Sequence, residues 1–338
     1  MTVLHPSRTA LDQLRDAPRA FDYDQVSLAP RHASALLHRA DARPEASLGP
    51  AVLEVPFLGS PMPDVCGPRM CRALAAAGAL GILHRFQSIE QQAEQVRELA
   101  AATGRPVAAA LGVTGDWQER FRALREAGCA IVCLDTANGA HIQVGRAIDW
   151  LRGQDSNLFL IAGNVASAEG FRWLEEHGAD AVRVGIAGGS VCETRTETAV
   201  YVPTPYAVAE AAGVRTRALI IGDGGVRMPA DLCKLLALGA DLGMLGSALA
   251  GTDEAPGQAI AVDGKTFKVM RGAASFSVQQ EAGNLDPEYV EGAETLVPAK
   301  GPVGGVVRRY LAGLRSSMAY LDARTLDEYR ANVSFVRL

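Results

Sequence analysis

The sequence predicts an α/β fold in which eight parallel strands close into a (β/α)8 TIM barrel. Eight short apolar runs recur from residue 55 onward, as expected for strands that are buried on both faces. Stretches with helical periodicity, such as SIEQQAEQVRELAAAT and DWQERFRALREAG, fill the intervals between them. The length of 338 residues suits a single barrel domain spanning 1–338. The predicted strands are Val55–Ser60, Gly81–His84, Pro106–Leu111, Ala130–Asp135, Leu158–Ala162, Ala181–Gly185, Ala218–Gly222 and Leu242–Gly246.

An open, doubly wound sheet is the alternative arrangement of the same elements. That class often carries a GxGxxG motif after its first strand, and no such motif follows here. The closed barrel is therefore the favoured prediction.

Segments outside the eight repeats are predicted to form an arm, a flap and a closing helix. Residues 1–54 form an irregular N-terminal arm, in which FDYDQVSLAP could pair as an edge strand and RHASALLHRADARPEASLGP is predicted to be loop. Residues 258–301 form a hairpin, turning at Asp263-Gly264, and a flap without clear periodicity. Residues 302–338 contain a closing helix and the C-terminal tail.

Composition argues against several classes of function. The net charge is −5 and the basic residues are scattered, which gives no stripe for nucleic acid. No apolar run is long enough to span a bilayer, and the N-terminus lacks the apolar core of a signal peptide. The six cysteines form no CxxC pair or zinc spacing, and Cys129 and Cys133 are predicted in the core. This usage predicts a cytoplasmic protein.

Candidate functional residues cluster at the predicted C-terminal ends of the strands, where barrel enzymes carry their chemistry. The loop after the sixth strand contains Gly188, Gly189 and Ser190 before Cys192. A glycine-rich turn after a strand suits a phosphate, and a cysteine beside it is a candidate nucleophile. The alternative is a loop whose cysteine only packs.

The sequence resembles the IMP dehydrogenase and GMP reductase family from about Phe21 to Leu338. The matching stretches occur in the family's order and spacing, and they include SPMPDV, GILHRFQSIEQQ, CLDTANG, AGNV, VGIAGGSVCETR, IGDGG, MLGSALAGTDEAPG and PAKGPVGG. The resemblance implies a barrel assembled as a homotetramer or larger oligomer. It also implies a purine nucleotide 5′-monophosphate stacked against a nicotinamide, with no nucleic acid or membrane partner.

The resemblance assigns roles to individual residues. The implied catalytic residues are Cys192, which attacks C2 of the purine, Thr194, its partner in proton handling, and Glu291, which binds the base edge. The implied substrate-binding residues are Ser60, Met62, Ser190, Asp223, Gly224, Gly225, Gly246, Ser247, Gly272, Ala273 and Gly292. The residues implied to line the nicotinamide site are Asp135, Thr136, Ala137, Asn138 and Gly163. His84 and Arg85 end the second predicted strand, and an arginine there could pair with the 2′-phosphate of NADPH, so they are further candidate cofactor residues. A monovalent cation such as K+ is a further candidate ligand, at Gly185, Gly188 and Cys192.

The family contains two reactions, and most features favour reductive deamination of GMP to IMP and ammonia. The dehydrogenases carry two regulatory modules inserted after the second βα unit, whereas His84 is followed here directly by a helix and the next strand. Their flap is longer and bears an Arg-Tyr pair, which the 291 − 273 = 18 positions from Ala273 to Glu291 lack. CLDTANG and DGKTFKV resemble the reductases, although GILHRFQSIEQQ resembles the dehydrogenases.

Three departures from the family pattern leave the substrate open. The segment after the cysteine loop reads TAVYVPT, Glu193 follows the cysteine, and the family's Gly-Met pair is Gly272-Ala273. Loss of methionine bulk predicts a larger pocket at the O6/N7 edge, unless Phe276 or a methionine refills it. A nucleotide of the 7-cyano-7-deazaguanine type, as in deazapurine nucleoside antibiotic biosynthesis, is therefore the alternative substrate. Oxidation of IMP, as by an IMP dehydrogenase, and nucleotide binding without catalysis are two further hypotheses for the chain.

Overall fold

Eight parallel strands form a closed barrel in the computed structural model, which describes residues 14–281 and 287–338. Each of the eight barrel strands overlaps a predicted strand, and the eighth pairs with the first through Gly243 and Phe57. The predicted fold class is therefore confirmed. The barrel strands are Phe57–Gly59, Leu80–Leu83, Val107–Leu111, Cys129–Asp135, Phe159–Val165, Ala181–Val184, Leu219–Asp223 and Leu242–Leu245.

Helices surround the barrel and bury one face each. The helix Ile89–Thr103 begins at a capping box formed by Ser88 and Gln91 and ends at Gly104, whose φ of 59° is left-handed. The surrounding helices are Pro68–Ala76, Ile89–Thr103, Trp117–Glu126, Ile142–Gln154, Ala168–Glu176, Thr204–Val214, Pro229–Ala237 and Val303–Tyr320. Shorter helices are Tyr23–Gln25, Arg39–Asp41, Thr194–Thr198, Phe276–Glu281 and Leu326–Asn332.

Alternation along each strand divides the core into two layers. In the fourth strand, Ile131 and Cys133 face the barrel interior, while Cys129 and Val132 pack with the outer layer beneath the helices. Both cysteines are fully buried, as predicted. Burial raises the pKa of Cys129 to about 11 and that of Cys133 to about 12, so neither thiol is reactive at neutral pH.

The N-terminal arm is more structured than predicted. The edge strand within FDYDQVSLAP is present, because Val26–Leu28 pairs with Phe335–Arg337. The following stretch was expected to be loop throughout, which is wrong for its end. Ala46–Leu48 pairs with Ala51–Leu53, and this hairpin buries Leu48 and Leu53 against the barrel's interior cluster. Their apolar side chains close that part of the core.

The hairpin predicted at Asp263-Gly264 joins Ala259–Val262 to Lys265–Arg271. A third strand that was not predicted, Glu294–Pro298, pairs with Lys265–Arg271 within the predicted flap. Part of that flap, residues 282–286, lies outside the described residues. The division of the chain into an arm at 1–54, a hairpin and flap at 258–301 and a closing helix and tail at 302–338 stays a proposal. Within the described residues, no helix has the length and apolar character needed to cross a membrane.

Candidate active site

A cleft of about 500 Å³ opens at the C-terminal ends of the barrel strands. Loops from most of the strands and the flap contribute to its wall. The predicted site residues that line it are Ser60, Met62, Arg85, Asp135, Thr136, Ala137, Gly185, Gly188, Ser190, Cys192, Thr194, Asp223, Gly224, Gly225, Gly246, Ser247, Gly272, Ala273 and Glu291. The structure therefore brings most of the predicted set to one place.

A hydrogen-bonded chain links the cysteine to the flap. Cys192 Sγ lies 3.3 Å from Thr194 Oγ1, and that hydroxyl donates to Glu291 Oε2 at 2.6 Å. The backbones hold the two segments together, because Glu193 N donates to the Glu291 carbonyl at 2.9 Å. Cys192 and Gly292 also pair as an antiparallel bridge. A nucleophile, a hydroxyl and a carboxylate in series can move a proton to or from a group bound at the sulfur.

Two glycine-rich loops lie next to this series of hydrogen bonds, and their backbones are in direct contact. Gly185 has a φ of 139°, and a Cβ built there would lie 1.9 Å from the carbonyl oxygen of Asp223. A Cβ at Gly224 would lie 3.1 Å from the backbone of Gly188. Glycine is required at both positions, because a side chain would separate the loop that carries Cys192 from the loop that carries Asp223.

Arg183, a buried arginine outside the predicted set of site residues, joins two of the predicted carboxylates. Arg183 donates to Asp135 Oδ1 at 2.6 Å and to Asp223 Oδ2 at 3.0 Å from Nε and 2.8 Å from Nη2. Asn164 Nδ2 donates to the same Asp223 oxygen at 2.7 Å. Burial alone would raise the pKa of Asp135, but Arg183 and Arg85 outweigh it, so the pKa lies below its usual range. Asp135 is therefore held as a carboxylate.

The flap loop is fastened to the first strand's loop by an ion pair. Arg271 Nε and Nη2 each donate to an oxygen of Asp64 at 2.8 Å, and the backbone N–H of Arg271 donates as well. The next residues, Gly272 and Ala273, line the cleft. Phe276 is absent from the lining and 45% exposed, so it does not refill this wall. Met62, Met244 and Met270 do contribute to the lining.

Four predicted site residues lie outside the lining of the cleft. Gly163 accepts hydrogen bonds from Thr136, Asn138 is exposed, and Gly292 pairs with Cys192. His84 is partly buried, and its Nδ1 has no hydrogen-bond partner among the residues that the structure describes. Burial lowers the pKa of His84 to about 4, so the ring is neutral at neutral pH. A positive charge at this end of the second strand comes from Arg85 instead.

A second, polar cavity of about 440 Å³ adjoins the cleft at Arg85. Thr114, Trp117 and Arg120 line it, together with the first turn of the helix that follows Ser88. In the described part of the chain, no group of three or more histidine, cysteine, aspartate or glutamate side chains is placed to hold a metal ion.

Comparison with known proteins identifies the family. A family model described as the IMP dehydrogenase / GMP reductase domain matches residues 20–338. The chain belongs to the IMP dehydrogenase / GMP reductase family. The sequence resemblance is therefore confirmed at the level of the family.

Members of the family from both reactions are similar to this chain. Inosine-5′-monophosphate dehydrogenase from Streptococcus pyogenes is 40% identical over 278 residues, which cover 78% of this chain and 56% of the relative. The enzyme of that name from Chlorobaculum parvum is 40% identical over 246 residues, covering 69% and 50%. The chain thus spans about half the length of these curated relatives.

A solved structure extends the similarity over nearly the whole chain. GMP reductase from Trypanosoma brucei, in complex with guanosine 5′-monophosphate, superposes with a TM-score of 0.91 at 27% identity. The match covers 97% of each chain. Family membership is consistent with a purine nucleotide and a nicotinamide cofactor, whereas the individual reaction has to be argued from the site.

Proposed function

We propose that this protein is an NADPH-dependent oxidoreductase that converts GMP to IMP and ammonia through a covalent bond between Cys192 and C2 of the base. The observation that carries the proposal is the chain from Cys192 through Thr194 to Glu291. It places a nucleophile and a carboxyl group at the two ends of one proton path.

In the proposed reaction, the sulfur of Cys192 forms a bond to C2 and the bond from C2 to the exocyclic amine breaks. Glu291, relayed by Thr194, delivers a proton to the departing amine, which leaves as ammonia. The hydride that C2 acquires when the bond to sulfur breaks would come from bound NADPH. The carboxylate of Asp223 accepts from the ribose hydroxyls. The 5′-phosphate is held by Ser190, Gly225, Gly246 and Ser247.

Two features of the dehydrogenases, an inserted module and a flap arginine, are absent from this sequence. Their absence favours reductive deamination over oxidation of IMP. The helix of the second βα unit ends at Thr103 and the third strand begins at Val107, which leaves no room between them for an inserted module. The stretch from Ala273 to Glu291 contains no arginine that could activate water against the bond between Cys192 and C2. The structural neighbour named as a GMP reductase supports the same branch.

A modified guanine nucleotide is a second candidate substrate. Gly272, Ala273 and Ala274 form a stretch of small residues in the cleft wall, next to the anchored Arg271. A substituent at position 7 of the base, as in a 7-cyano-7-deazaguanine nucleotide, would need such room. The same chemistry at C2 applies to either substrate.

The binding of NADPH is proposed at the Arg85 end of the cleft. Arg85 lies between the cleft and the second cavity, so its guanidinium could pair with the 2′-phosphate while the nicotinamide lies near Asp135.

We also propose K+ at the Cys192 loop. Gly185 O accepts one hydrogen bond from Asn164, which leaves a lone pair for a cation. Assembly as a homotetramer and a cytoplasmic location complete the proposal, and the free cysteines fit a reducing compartment.

A turnover panel tests the function. GMP, a 7-cyano-7-deazaguanine nucleotide and IMP are each incubated with the matching reduced or oxidised cofactor, and absorbance at the nicotinamide band is followed with and without K+. We expect oxidation of NADPH with GMP or with the 7-substituted nucleotide. Reduction of NAD+ by IMP as the fastest reaction would overturn reductive deamination, and no turnover in the entire panel would favour a nucleotide-binding protein without catalysis.

A further inference from the structure

Three consecutive residues of the N-terminal arm reach towards the active-site loops. The ring of Phe21 packs edge-on against Tyr206, with 5.7 Å between centroids, in the helix that follows the Cys192 loop. The side chain of Asp22 accepts a hydrogen bond from Tyr201, and that of Tyr23 donates one to Gly224. The strand Val26–Leu28 holds this part of the arm by pairing with Phe335–Arg337.

Tyr23 contacts the loop after the seventh strand. Its hydroxyl donates to the carbonyl oxygen of Gly224 at 2.8 Å. A Cβ built on Gly225 would lie 2.6 Å from the Tyr23 ring, so the ring rests directly on that glycine. Lys234 Nζ donates to the Tyr23 carbonyl at 2.6 Å and fixes the backbone from the other side. Gly224 and Gly225 both line the cleft.

Asp22 contacts the segment that closes the Cys192 loop. Its Oδ2 accepts from the hydroxyl of Tyr201 at 2.7 Å, while Oδ1 caps the Tyr23 backbone. Burial, followed by the hydrogen bond to Asp22, raises the pKa of Tyr201 to about 12, which keeps the phenol a donor at neutral pH. The guanidinium of Arg195 lies 4.4 Å from the centre of the Tyr201 ring. Arg195 is three positions beyond the nucleophile.

Tyr201 is also joined to the start of the same loop. Its neighbour Val202 forms an antiparallel bridge with Ile186, which follows the sixth strand. Tyr201 therefore touches the part of the chain that follows Cys192, and Val202 touches the part that precedes it. The hydrogen bond from Tyr201 to Asp22 is therefore placed to fix the position of the loop that carries Cys192.

We propose that Asp22 and Tyr23 form a clamp in which one residue positions the Cys192 loop and the next positions the Gly224–Gly225 loop. Neither residue touches the reacting atoms, so both are positioning residues. This inference rests on the proposed function for its kinetic consequences, but the geometry also predicts how reactive the Cys192 thiol is without substrate. Because each half of the clamp serves a different loop, the two halves should affect different properties.

The test uses two matched substitutions, each of which removes one phenol oxygen. Tyr201→Phe keeps the ring beneath Arg195 but loses the bond to Asp22. We expect kcat with GMP and NADPH to fall about three- to tenfold, the range for one hydrogen bond, with the KM for GMP nearly unchanged. Tyr23→Phe should raise the KM for GMP by about three- to tenfold and leave kcat nearly unchanged. Tyr320→Phe, at a side chain that is 61% exposed, is the control and should change neither.

A readout without turnover separates the clamp from the proposed reaction. Iodoacetamide labelling of Cys192, followed by peptide mass spectrometry, should change at least about twofold in Tyr201→Phe and stay at the wild-type rate in Tyr23→Phe. Asp22→Asn combined with Tyr201→Phe should be no worse than Tyr201→Phe alone, because Tyr201→Phe already removes the contact between Asp22 and the Cys192 loop. An unchanged labelling rate in Tyr201→Phe, or equal shifts of kcat and KM in both variants, would overturn the clamp. Failure of wild type to turn over GMP would count against the proposed function alone.

Discussion

Replacing Arg183 should destabilise the fold more than any exposed ion pair could. The guanidinium is 7% exposed and makes three hydrogen bonds to Asp135 and Asp223, which are 14% and 13% exposed. Arg183→Met would leave two carboxylates facing each other in a poorly solvated site. Breaking a buried pair in this way costs about 3–5 kcal/mol, a large part of the roughly 5–15 kcal/mol that stabilises a typical domain.

Urea unfolding at pH 7, followed by circular dichroism, measures this cost. Arg183→Lys should fall between wild type and Arg183→Met, because lysine keeps the charge but lacks the planar fork. Arg97→Met is the control. Its ion pair with Glu94 is 59% exposed on both sides, so the change should stay within about 1 kcal/mol. A loss below about 1 kcal/mol for Arg183→Met would refute the reasoning.

The pH dependence provides a second check on the same residue. In wild type the folded pKa of Asp135 lies below the unfolded value of about 3.9, so its contribution is present above that pH and lost as pH falls through the folded pKa. Without Arg183, burial would raise the folded pKa, and the variant would instead lose stability as pH rises. The difference between wild type and Arg183→Met should therefore shrink from pH 7 towards pH 4. A difference that stays constant would contradict the assigned electrostatics.

Three further substitutions and one comparison of cofactors test the site. Cys192→Ala should abolish turnover but retain nucleotide binding by calorimetry, and more than a trace of activity would remove the covalent mechanism. Glu291→Gln should lower kcat by about 10²–10⁴-fold, the range for a general acid, and a change in KM alone would reduce Glu291 to a base anchor. NADPH should be preferred over NADH through Arg85, which equal kcat/KM values would contradict. Ala273→Met should cost a 7-substituted nucleotide about 1–3 kcal/mol in kcat/KM and spare GMP, and identical responses of both substrates would place Ala273 away from that edge.

The sequence predicted the barrel well because its strands are buried on both faces. Such strands appear as continuous apolar runs, and the glycines, cysteine and aspartates at their ends converge once the barrel closes. The strand Glu294–Pro298 was missed because it is mostly exposed and has neither an apolar run nor clean alternation. Strands are predicted from the pattern of their buried apolar residues, so a strand that is mostly exposed is not detected.

The supporting contacts of the site could not be predicted in the same way. Asp64 and Arg271 are 207 positions apart, and Tyr23 and Gly224 are 201 apart, so no local spacing connects them. Arg183 did leave one signal, since it interrupts an otherwise apolar strand. A charge in a buried run requires a partner of opposite charge, but only the closed barrel shows that two aspartates provide it.

The crowded glycines restrict how this protein could acquire a new specificity, in nature or in a directed-evolution library. At Gly185, Gly188 and Gly224, no side chain fits without moving a neighbouring backbone or the Thr204 hydroxyl. Randomising those codons would therefore yield mostly misfolded or inactive clones. Productive diversity has to come from the side-chain-bearing part of the wall, at Ala273, Ala274 and the three methionines. Selection for a different base should fix substitutions there first.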